Sequence, residues 1–244
     1  MVRLILVALF LILFLILSIP IMLIEWIIGK FNMDLKSKSS LFIVNCAFNV
    51  IKFLSGAKID YIGLDNIPKD TAVMYVGNHR SFFDIVFTYP KVAGLTGYIS
   101  KKEIEKVPLL NVWMKNLNCL FLDRDNIKEG LKTILTAIEH IKSGISICIF
   151  PEGTRSEDEN VILPFHEGSF KIASKAKCPI VPVTLNNCDA VFEKHLPWIK
   201  KAHVIIEYGK PIYIDEIPKE KQKQIGSYVH DIILDTYNKN KELV

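Results

Sequence analysis

The segment Ala72-Val73-Met74-Tyr75-Val76-Gly77 runs directly into Asn78-His79-Arg80-Ser81-Phe82-Phe83-Asp84, and these two stretches decide how the chain is organised. The first is apolar and of the length of a buried strand. The second ends at another apolar segment, Ile85-Val86-Phe87, which is typical of a helix that begins there. The sequence therefore predicts a strand, a turn that carries His79, and a helix whose first turn carries Asp84.

The spacing of His79 and Asp84 has two interpretations. If His79 lies in the turn and Asp84 in the first helical turn, the carboxylate can hold one imidazole nitrogen and leave the other free to take a proton. Alternatively, Ser81-Phe82-Phe83-Asp84 matches the capping box, in which a serine and an acid three residues later satisfy the first amide groups of a helix. These residues alone favour neither interpretation, and the two are compatible.

The composition indicates one sizeable domain with an apolar appendage. The chain has 244 residues, 50% of them hydrophobic, with a formal net charge of +4 and a mean hydropathy of +0.27. This charge fits an anionic membrane surface or a phosphorylated substrate, whereas a nucleic-acid binder needs a denser basic stripe. The five cysteines show no CxxC spacing, so we expect reduced thiols, with Cys119 and Cys148 buried, and neither a disulfide framework nor a zinc site.

An apolar run from Leu4 to Ile24 precedes the rest. As a helix rising about 1.5 Å per residue it reaches roughly 30 Å, the thickness of a hydrocarbon layer. It is too long for the apolar core of a signal peptide, and no small-residue cleavage motif follows it, so we expect a retained membrane segment. Pro20 and Glu25 weaken a simple spanning helix, and both spanning and lying in the interface stay open.

The flanks of this run predict its orientation and its partner. More basic residues follow the run than precede it, which places the catalytic portion on the cytoplasmic side of the cell membrane. The residues counted are Lys30, Lys36 and Lys38 after the run and Arg3 before it. A second apolar stretch, 41–54, is either an interfacial helix or a core-facing helix. We therefore divide the chain into a membrane segment, 1–55, and a catalytic domain, 56–244.

Strand and helix patterns alternate through the catalytic domain. Further strands are predicted at 58–63, 96–99, 118–122, 145–150, 180–185 and 203–208. Residues 127–142 space their apolar side chains as an amphipathic helix does, and further helices are expected over 169–177 and around 225–233. Strand, helix and strand of these lengths form βαβ units, so we predict a single α/β domain with a largely parallel central sheet flanked by helices.

The strand at 145–150 leads into Phe150-Pro151-Glu152-Gly153-Thr154-Arg155-Ser156. Ligands of open α/β sheets bind at the carboxyl ends of the strands, so this loop and His79 are expected on one rim. Gly153 allows close backbone approach, and Arg155 offers a planar fork suited to a phosphate. Taken alone, the loop also fits a surface turn with a solvated Glu–Arg pair.

Together, the His-x4-Asp element at 79–84 and the Phe-Pro-Glu-Gly-Thr-Arg-Ser element at 150–156 resemble the glycerolipid acyltransferase family, and among its members the 1-acylglycerol-3-phosphate acyltransferases most. The order and separation of the two elements match as well. Two weaker elements occupy the positions that the family gives them, Leu120-Phe121-Leu122-Asp123-Arg124 and Cys178-Pro179-Ile180-Val181-Pro182-Val183. The resemblance covers residues 58–210.

Two further positions bear on this resemblance. Lys101 and Glu103 match the Lys-x-Glu that usually precedes the second element. Phe165-His166-Glu167-Gly168 departs from the family, because Glu167 stands where such sequences commonly carry a basic residue. That departure argues against a phosphate-binding role for this loop and touches no catalytic element.

The resemblance implies an O-acyltransferase of phospholipid biosynthesis that needs no cofactor and no metal. The implied donor is an acyl thioester of coenzyme A or of acyl carrier protein. The implied acceptor is a lysophospholipid, 1-acyl-glycerol 3-phosphate, which becomes phosphatidic acid; glycerol 3-phosphate and other lysolipids are the alternatives. Membrane lipid is an expected partner and nucleic acid is not.

The resemblance also implies roles for individual residues. His79 is the general base, and Asp84 orients the imidazole and stabilises the imidazolium. The candidate substrate-binding residues are Lys101, Arg124, Glu152, Gly153, Thr154 and Arg155. The three basic ones are assigned to the acceptor phosphate, and Glu152 and Gly153 to the shape of the pocket. Backbone amides near the helix start after His79 are candidates for holding the oxyanion, which the sequence alone does not establish.

Two rival functions remain at this stage. One is a metal-dependent hydrolase whose ion is held by His79, Asp84 and Glu152, although the sequence contains no HExxH motif. The other is a membrane-bound protein that binds lipid without catalysis.

Overall fold

The computed structural model describes residues 1–156, 158 and 161–244. In this part of the chain the strands form one seven-stranded sheet in the order β1-β7-β6-β2-β5-β3-β4. They are β1 (Lys58–Ile62), β2 (Met74–Gly77), β3 (Thr96–Lys101), β4 (Leu120–Leu122), β5 (Ser146–Ile149), β6 (Ile180–Asn186) and β7 (His203–Tyr208). Neighbouring strands are parallel except β6 and β7, which are antiparallel. The predicted α/β domain with a largely parallel sheet is confirmed.

The first three helices precede the sheet in the chain, the others lie between or after its strands, and helices cover both faces of the sheet. They are α1 (Val2–Leu17), α2 (Ile19–Phe31), α3 (Met33–Ser55), α4 (Phe83–Thr88), α5 (Leu110–Asn116), α6 (Ile127–Lys142), α7 (Lys171–Ala176), α8 (Lys219–Gln222) and α9 (Ile225–Lys241). The bounds predicted for α6 and for the strand at 203–208 are confirmed. A 3-10 turn, Glu167–Phe170, occupies the first part of the helix predicted over 169–177.

Several strands are shorter than predicted, and β4 is the one whose start has a clear structural cause. Residues 118–122 were expected to be extended, but β4 begins only at Leu120. Asn118 has a left-handed backbone with φ 59° and lies in the turn that ends α5. Asparagine adopts this conformation more readily than most residues, so the chain turns before the strand starts.

The sheet separates two apolar layers. On one face, Tyr75 and Tyr98 pack with α3, α4 and α5. On the other face, Ile147 and Ile180 pack with α6, α7 and α9. Val229, on the apolar face predicted for the C-terminal helix, is fully buried in this second layer. That helix therefore packs on the domain.

The apolar run of residues 4–24, predicted as one helix, is divided between α1 and α2. The two helices meet at Ser18 and are bent by 48°. Pro20 has no amide to donate, and the Ser18 hydroxyl donates to Leu15 O at 3.0 Å. Within the described residues no single helix has the length and apolar character to cross a bilayer, and α1 with α2 meets that requirement only as a bent pair.

The second apolar stretch, 41–54, lies in α3, which has both a buried and an exposed apolar side. Val44 and Ile51 are buried in the layer that α3 forms on the sheet. Phe42 and Phe53 point outward and are 70% and 82% exposed. This helix thus contributes to the core of the α/β fold while presenting aromatic side chains to its surroundings.

The middle of the sheet brings the two sequence elements together. β2 lies between β6 and β5, and the three strands are parallel, so the loops after them leave at one edge. A side chain at Gly77, the last residue of β2, would have its Cβ only 3.1 Å from both Val183 O and the Phe150 ring. The glycine therefore allows the chain after β2 to turn tightly against its neighbours.

Candidate active site

His79 and Asp84 form a direct pair at this edge. The His79 Nδ1 and Asp84 Oδ2 atoms are 2.8 Å apart, with the imidazole 19% exposed and the carboxylate fully buried. A carboxylate only accepts hydrogen bonds, so Nδ1 of the neutral imidazole carries the proton and Nε2 keeps its lone pair. The partly accessible imidazole therefore has the tautomer that a general base needs.

Asp84 also satisfies the amides ahead of α4. Its Oδ2 accepts from the backbone N–H of Arg80 and of Ser81, each at 2.8 Å. The Ser81 hydroxyl accepts from Phe83 N at 3.0 Å. The capping contacts and the imidazole contact therefore coexist, and both interpretations of the His-x4-Asp spacing apply.

The loop after β5 fixes the backbone of His79 from both sides. Glu152 Oε1 accepts from His79 N at 2.6 Å, and Ser156 N donates to His79 O at 3.0 Å. The second oxygen of Glu152 accepts from Leu163 N at 2.8 Å. Burial raises the pKa of Glu152, and the backbone donors oppose that shift. Glu152 is thus a buried anchor that holds the turn of His79 against its own loop.

The imidazole is also held by an aromatic stack. The rings of His79 and Phe150 lie 4.4 Å apart between centroids and 13° from parallel. Together with the Asp84 contact, this stack restricts the rotation of the His79 side chain. Phe150 was predicted at the end of a strand and in the element at 150–156, but its ring was given no role, because stacking depends on the loop geometry and leaves no local pattern.

The backbone amides after His79 are already used within the protein, which corrects the expectation that they hold an oxyanion. Those of Arg80 and Ser81 donate to Asp84. Phe82 N donates to Glu193 Oε1 at 2.9 Å, and Phe83 N donates to the Ser81 hydroxyl. A turn this short, with an acid inside it, satisfies its own donors and leaves none of these four for a substrate.

Arg155 reaches the same turn from the opposite loop. Its guanidinium lies 4.0 Å from the centroid of the Phe82 ring, and Nη1 donates to Glu193 Oε1 at 3.2 Å. The Arg155 side chain is 38% exposed. The structure therefore places the predicted phosphate ligand beside Phe82, which follows His79 by three positions in the chain, but with the carboxylate of Glu193 already bound to it.

Glu193 joins the two elements and was missed by sequence analysis. Besides Arg155 and Phe82 N, it binds the Ser81 hydroxyl, which donates to Oε2 at 2.6 Å. Ser81 and Glu193 are 112 residues apart, and Glu193 lies in a 3-10 turn after β6. Its segment matches none of the four sequence elements, so no signal in the sequence marks it.

The remaining candidates lie further along the same edge. Arg124 Nη1 donates to Gly153 O, which connects the second and third sequence elements. Gly153 has φ +78°, a backbone conformation that favours glycine, and a Cβ there would lie 3.3 Å from the Arg124 guanidinium. Lys101 ends β3 opposite Leu122, and Thr154 is exposed.

Two buried polar residues in the first element brace the turn. Asn78 exchanges two hydrogen bonds with the backbone of Leu185 in β6, at 2.9 and 2.8 Å. Arg80, 3% exposed, donates to Asp158 O at 2.7 Å and to Val161 O at 3.0 Å. Sequence analysis assigned neither a role, since a buried arginine is uncommon and its partners lie about eighty positions away in the chain.

The departure at Glu167 has a structural explanation. The Glu167 carboxylate accepts from Gly226 N at 3.0 Å and from Ser227 N at 3.2 Å, the first amides of α9. An acid at a helix N-terminus satisfies free donors and complements the helix dipole. The acid in this loop therefore serves the docking of the C-terminal helix.

The two carboxylates that the hydrolase alternative assigned to a metal already accept hydrogen bonds from the protein. Asp84 Oδ2 receives three N–H groups, and each oxygen of Glu152 receives a backbone amide. Within residues 1–156, 158 and 161–244, no three or more His, Cys, Asp or Glu side chains are grouped to hold an ion. This donor set suits a fixed histidine base better than a metal site.

Comparison with known proteins agrees with this geometry. Residues 58–186 match the model of the family described as Acyltransferase. The chain is 31% identical over 196 residues to the 1-acyl-sn-glycerol-3-phosphate acyltransferase of Saccharomyces cerevisiae; the match covers 78% of this chain and 63%, less than two thirds, of the yeast protein. Proteins of the same name from Borreliella burgdorferi and Haemophilus influenzae are 28% and 29% identical, with 78% and 82% of their lengths covered.

The fold has a counterpart among solved structures. The crystal structure of the 1-acyl-sn-glycerophosphate (LPA) acyltransferase PlsC from Thermotoga maritima superposes with a TM-score of 0.80 at 23% sequence identity. The match covers 98% of this chain and 95% of that one, so it includes the N-terminal helices. Since the family match takes in both the His-x4-Asp turn and the loop that anchors it, the chain belongs to the acyltransferase family.

Proposed function

We propose that the protein transfers an acyl group from an acyl thioester of coenzyme A or acyl carrier protein to the free hydroxyl of 1-acyl-glycerol 3-phosphate, and so forms phosphatidic acid. The relatives named above are 1-acyl-sn-glycerol-3-phosphate acyltransferases, which supports this acceptor. The observation that carries the proposal is the 2.8 Å contact between His79 Nδ1 and the buried Asp84 carboxylate, which leaves Nε2 as a base.

The reaction needs one proton to move twice. Nε2 of His79 takes the hydroxyl proton as the acceptor oxygen attacks the thioester carbonyl, and Asp84 stabilises the imidazolium that forms. The tetrahedral intermediate collapses, the C–S bond breaks, and the departing thiolate recovers the proton from His79. The donor leaves as a free thiol, and no acyl-enzyme forms.

The acceptor phosphate is assigned to Arg155, with Arg124 and Lys101 further along the edge. Arg155 supports this role because its planar fork binds phosphate in a bidentate manner and because it lies against Phe82, close to the base. Its contact with Glu193 means that the phosphate competes with a carboxylate for the guanidinium.

We further propose that the N-terminal helices hold the enzyme at the cytoplasmic face of the cell membrane. Their exposed apolar side chains support this, and the basic residues that follow the apolar run 4–24 support the orientation. The most exposed of these side chains include Val2, Leu17, Leu23, Trp26, Phe31, Phe42 and Phe53.

The test is a thiol-release assay with lysophosphatidate or glycerol 3-phosphate and with both kinds of donor. His79→Ala should lower turnover by at least about 10²–10⁴-fold, the usual contribution of general base catalysis. The matched control is His203→Ala. His203 also pairs with a carboxylate, since its Nε2 lies 2.7 Å from Asp60 Oδ2, but this pair is outside the site. Near-normal turnover in His79→Ala, or lysophosphatidate binding by the wild type without thiol release, would exclude the proposal.

A further inference from the structure

A basic cleft lies at the end of the N-terminal helices. Its volume is about 750 Å³, and it opens between the start of α1, the end of α3 and the start of β1. Four of its lining side chains are cationic, and no described residue that lines it is acidic. The cationic residues are Arg3, Lys52, Lys58 and Lys201.

The backbone at Gly56 lets these charges approach one another. Gly56 ends α3 with φ +70°. A Cβ at this position would lie 3.1 Å from Nε and Nη2 of Arg3 and 3.1 Å from Cγ of Lys201. A side chain in place of the glycine would therefore press on the Arg3 guanidinium and on the aliphatic part of Lys201. The first turn of α1 is thus packed against the catalytic domain with its positive charge beside that of the domain.

The positive charge of the cleft is poorly neutralised by the protein. In the described part of the chain Arg3, Lys52 and Lys201 form no ion pair, and Lys58 has only Asp60, at 4.0 Å, which His203 shares. Burial lowers the pKa of Lys52, and the positive charge of Lys91 lowers it further. The ammonium groups of Lys52, which lines the cleft, and of Lys91 beside it lie 5.4 and 4.9 Å from the centroid of the Tyr61 ring. Like charges held this close favour an anionic ligand.

The surroundings of the cleft fit a lipid. Phe53 lines the cleft and is 82% exposed. It ends a stripe of exposed side chains on α3 that also contains Phe42, Cys46 and Val50. Cations at the border of an exposed apolar surface lie at the level of the lipid phosphates when that surface enters a bilayer. The cations of the cleft would thus meet the phosphate of a phospholipid while the apolar stripe meets its acyl chains.

We propose that this cleft binds the phosphate headgroup of an anionic phospholipid of the bilayer. The site rests on the membrane association proposed above and adds a specific ligand to it. It is separate from the acceptor site, because β1 lies three positions from β2 in the sheet, about 14 Å at the usual strand spacing. Basic pockets between membrane-associated helices are known to take such headgroups.

Vesicle binding by the full chain tests the site. The variant Arg3→Gln/Lys52→Gln/Lys201→Gln is compared with the control Lys171→Gln/Lys175→Gln/Lys219→Gln, which loses the same charge from exposed positions on α7 and α8. Wild type and control should bind vesicles of phosphatidylcholine with phosphatidylglycerol more tightly than vesicles of phosphatidylcholine alone. In the cleft variant, the increase in vesicle affinity due to phosphatidylglycerol should be at least about tenfold smaller, since each basic residue near an anionic surface contributes about fivefold to the affinity.

Several outcomes would overturn the site. Equal loss in the control variant would show diffuse charge attraction and no site. If the cleft variant kept the full increase in vesicle affinity due to phosphatidylglycerol but had a raised KM for acyl-coenzyme A, the cleft would be assigned to the phosphates of the donor. Failure of the wild type to bind either vesicle would refute the membrane association as well, whereas binding that ignores phosphatidylglycerol would refute the site alone.

A single substitution protects the test against misfolding. Lys201 is exposed and precedes β7, so Lys201→Gln leaves the helices of the cleft intact. It should lower the increase in vesicle affinity due to phosphatidylglycerol about fivefold, with no change in the midpoint of thermal unfolding. An unchanged gain in this folded variant would contradict the proposal.

Discussion

Arg155 and Glu193 share a hydrogen bond of 3.2 Å, so the guanidinium best placed for a substrate phosphate already faces a carboxylate. The same carboxylate binds the Ser81 hydroxyl and the amide of Phe82. Glu193 therefore has two effects that substitution can separate: it competes for Arg155 and it supports the turn that carries His79.

Replacing Glu193 with Gln should lower the KM for the acceptor by up to about fivefold and leave kcat within a factor of two or so, because a partly exposed ion pair is worth at most about 1 kcal/mol. The amide oxygen can still accept one hydrogen bond from the turn. Glu193→Ala should instead lower kcat, since the turn loses both contacts. Steady-state kinetics with lysophosphatidate measure both effects, and a raised KM in Glu193→Gln would mean that Glu193 positions Arg155 and does not compete with phosphate.

Replacing Arg155 with Ala should raise the KM for the acceptor at least about tenfold, because a charge-assisted contact is worth about 1.5–3 kcal/mol. Arg155→Lys should recover only part of this, since an ammonium cannot bind phosphate with a planar fork. The same kinetic assay, with the donor KM as the internal control, checks the assignment. An acceptor KM that is equal in wild type and Arg155→Ala would remove Arg155 from the phosphate site.

Replacing Glu152 with Gln should lower both stability and kcat. The new NH2 group would face the amide of His79 or of Leu163, each of which needs an acceptor. A buried donor left unpaired costs about 1–3 kcal/mol. Denaturant unfolding and the thiol-release assay measure the two effects.

Glu167→Gln is the matched control, because Glu167 also accepts from two backbone amides, those of Gly226 and Ser227, but away from the site. It should lower the free energy of unfolding without lowering kcat. If the two variants lost kcat equally for equal loss of stability, the anchoring role of Glu152 would have no support.

His140 should make the fold sensitive to acid. Burial lowers its pKa from the ordinary value of 6.5, and in the described residues its Nδ1 is buried with no hydrogen-bond partner. The folded state therefore prefers the neutral ring, and its stability falls as the pH drops below 6.5, the ordinary value, toward the lowered pKa. One titrating group changes the free energy of unfolding by at most about 1.4 kcal/mol per pH unit.

Replacing His140 with Gln should flatten this fall in the free energy of unfolding, measured by denaturation between neutral and mildly acidic pH. The exposed His166→Gln serves as the control for the loss of a histidine as such. Identical acid slopes in wild type and His140→Gln would show that other groups govern the acid transition.

The sequence predicted those parts of the structure that depend on local pattern. Buried strands of a parallel sheet are short apolar runs, and α6 carries its apolar residues at helical spacing, so both were found. The pairing of His79 with Asp84 was also within reach, because five residues determine it. The antiparallel pairing of β6 and β7 was not, since strand order depends on contacts across the whole chain.

The supports of the site could not be read from the sequence. Glu193 reaches Ser81 across 112 residues, and Phe150 stacks on His79 only because their two loops share an edge. The break at Ser18 was predicted only in part, because Pro20 was noted as weakening the helix but the run was still treated as one helix. For Glu193 and Phe150 a side chain finds a distant partner, and residue type gives no information on which partner that is.

The contact of the N-terminal helices with Trp113 limits how the chain can be shortened. Phe14 lies 5.7 Å from the Trp113 ring, and the indole donates to the Ser18 hydroxyl at 3.0 Å. Deleting α1 and α2 would strip this indole of both partners and uncover the underside of α3. Trimming these helices would therefore yield an aggregation-prone remnant rather than a self-sufficient catalytic unit.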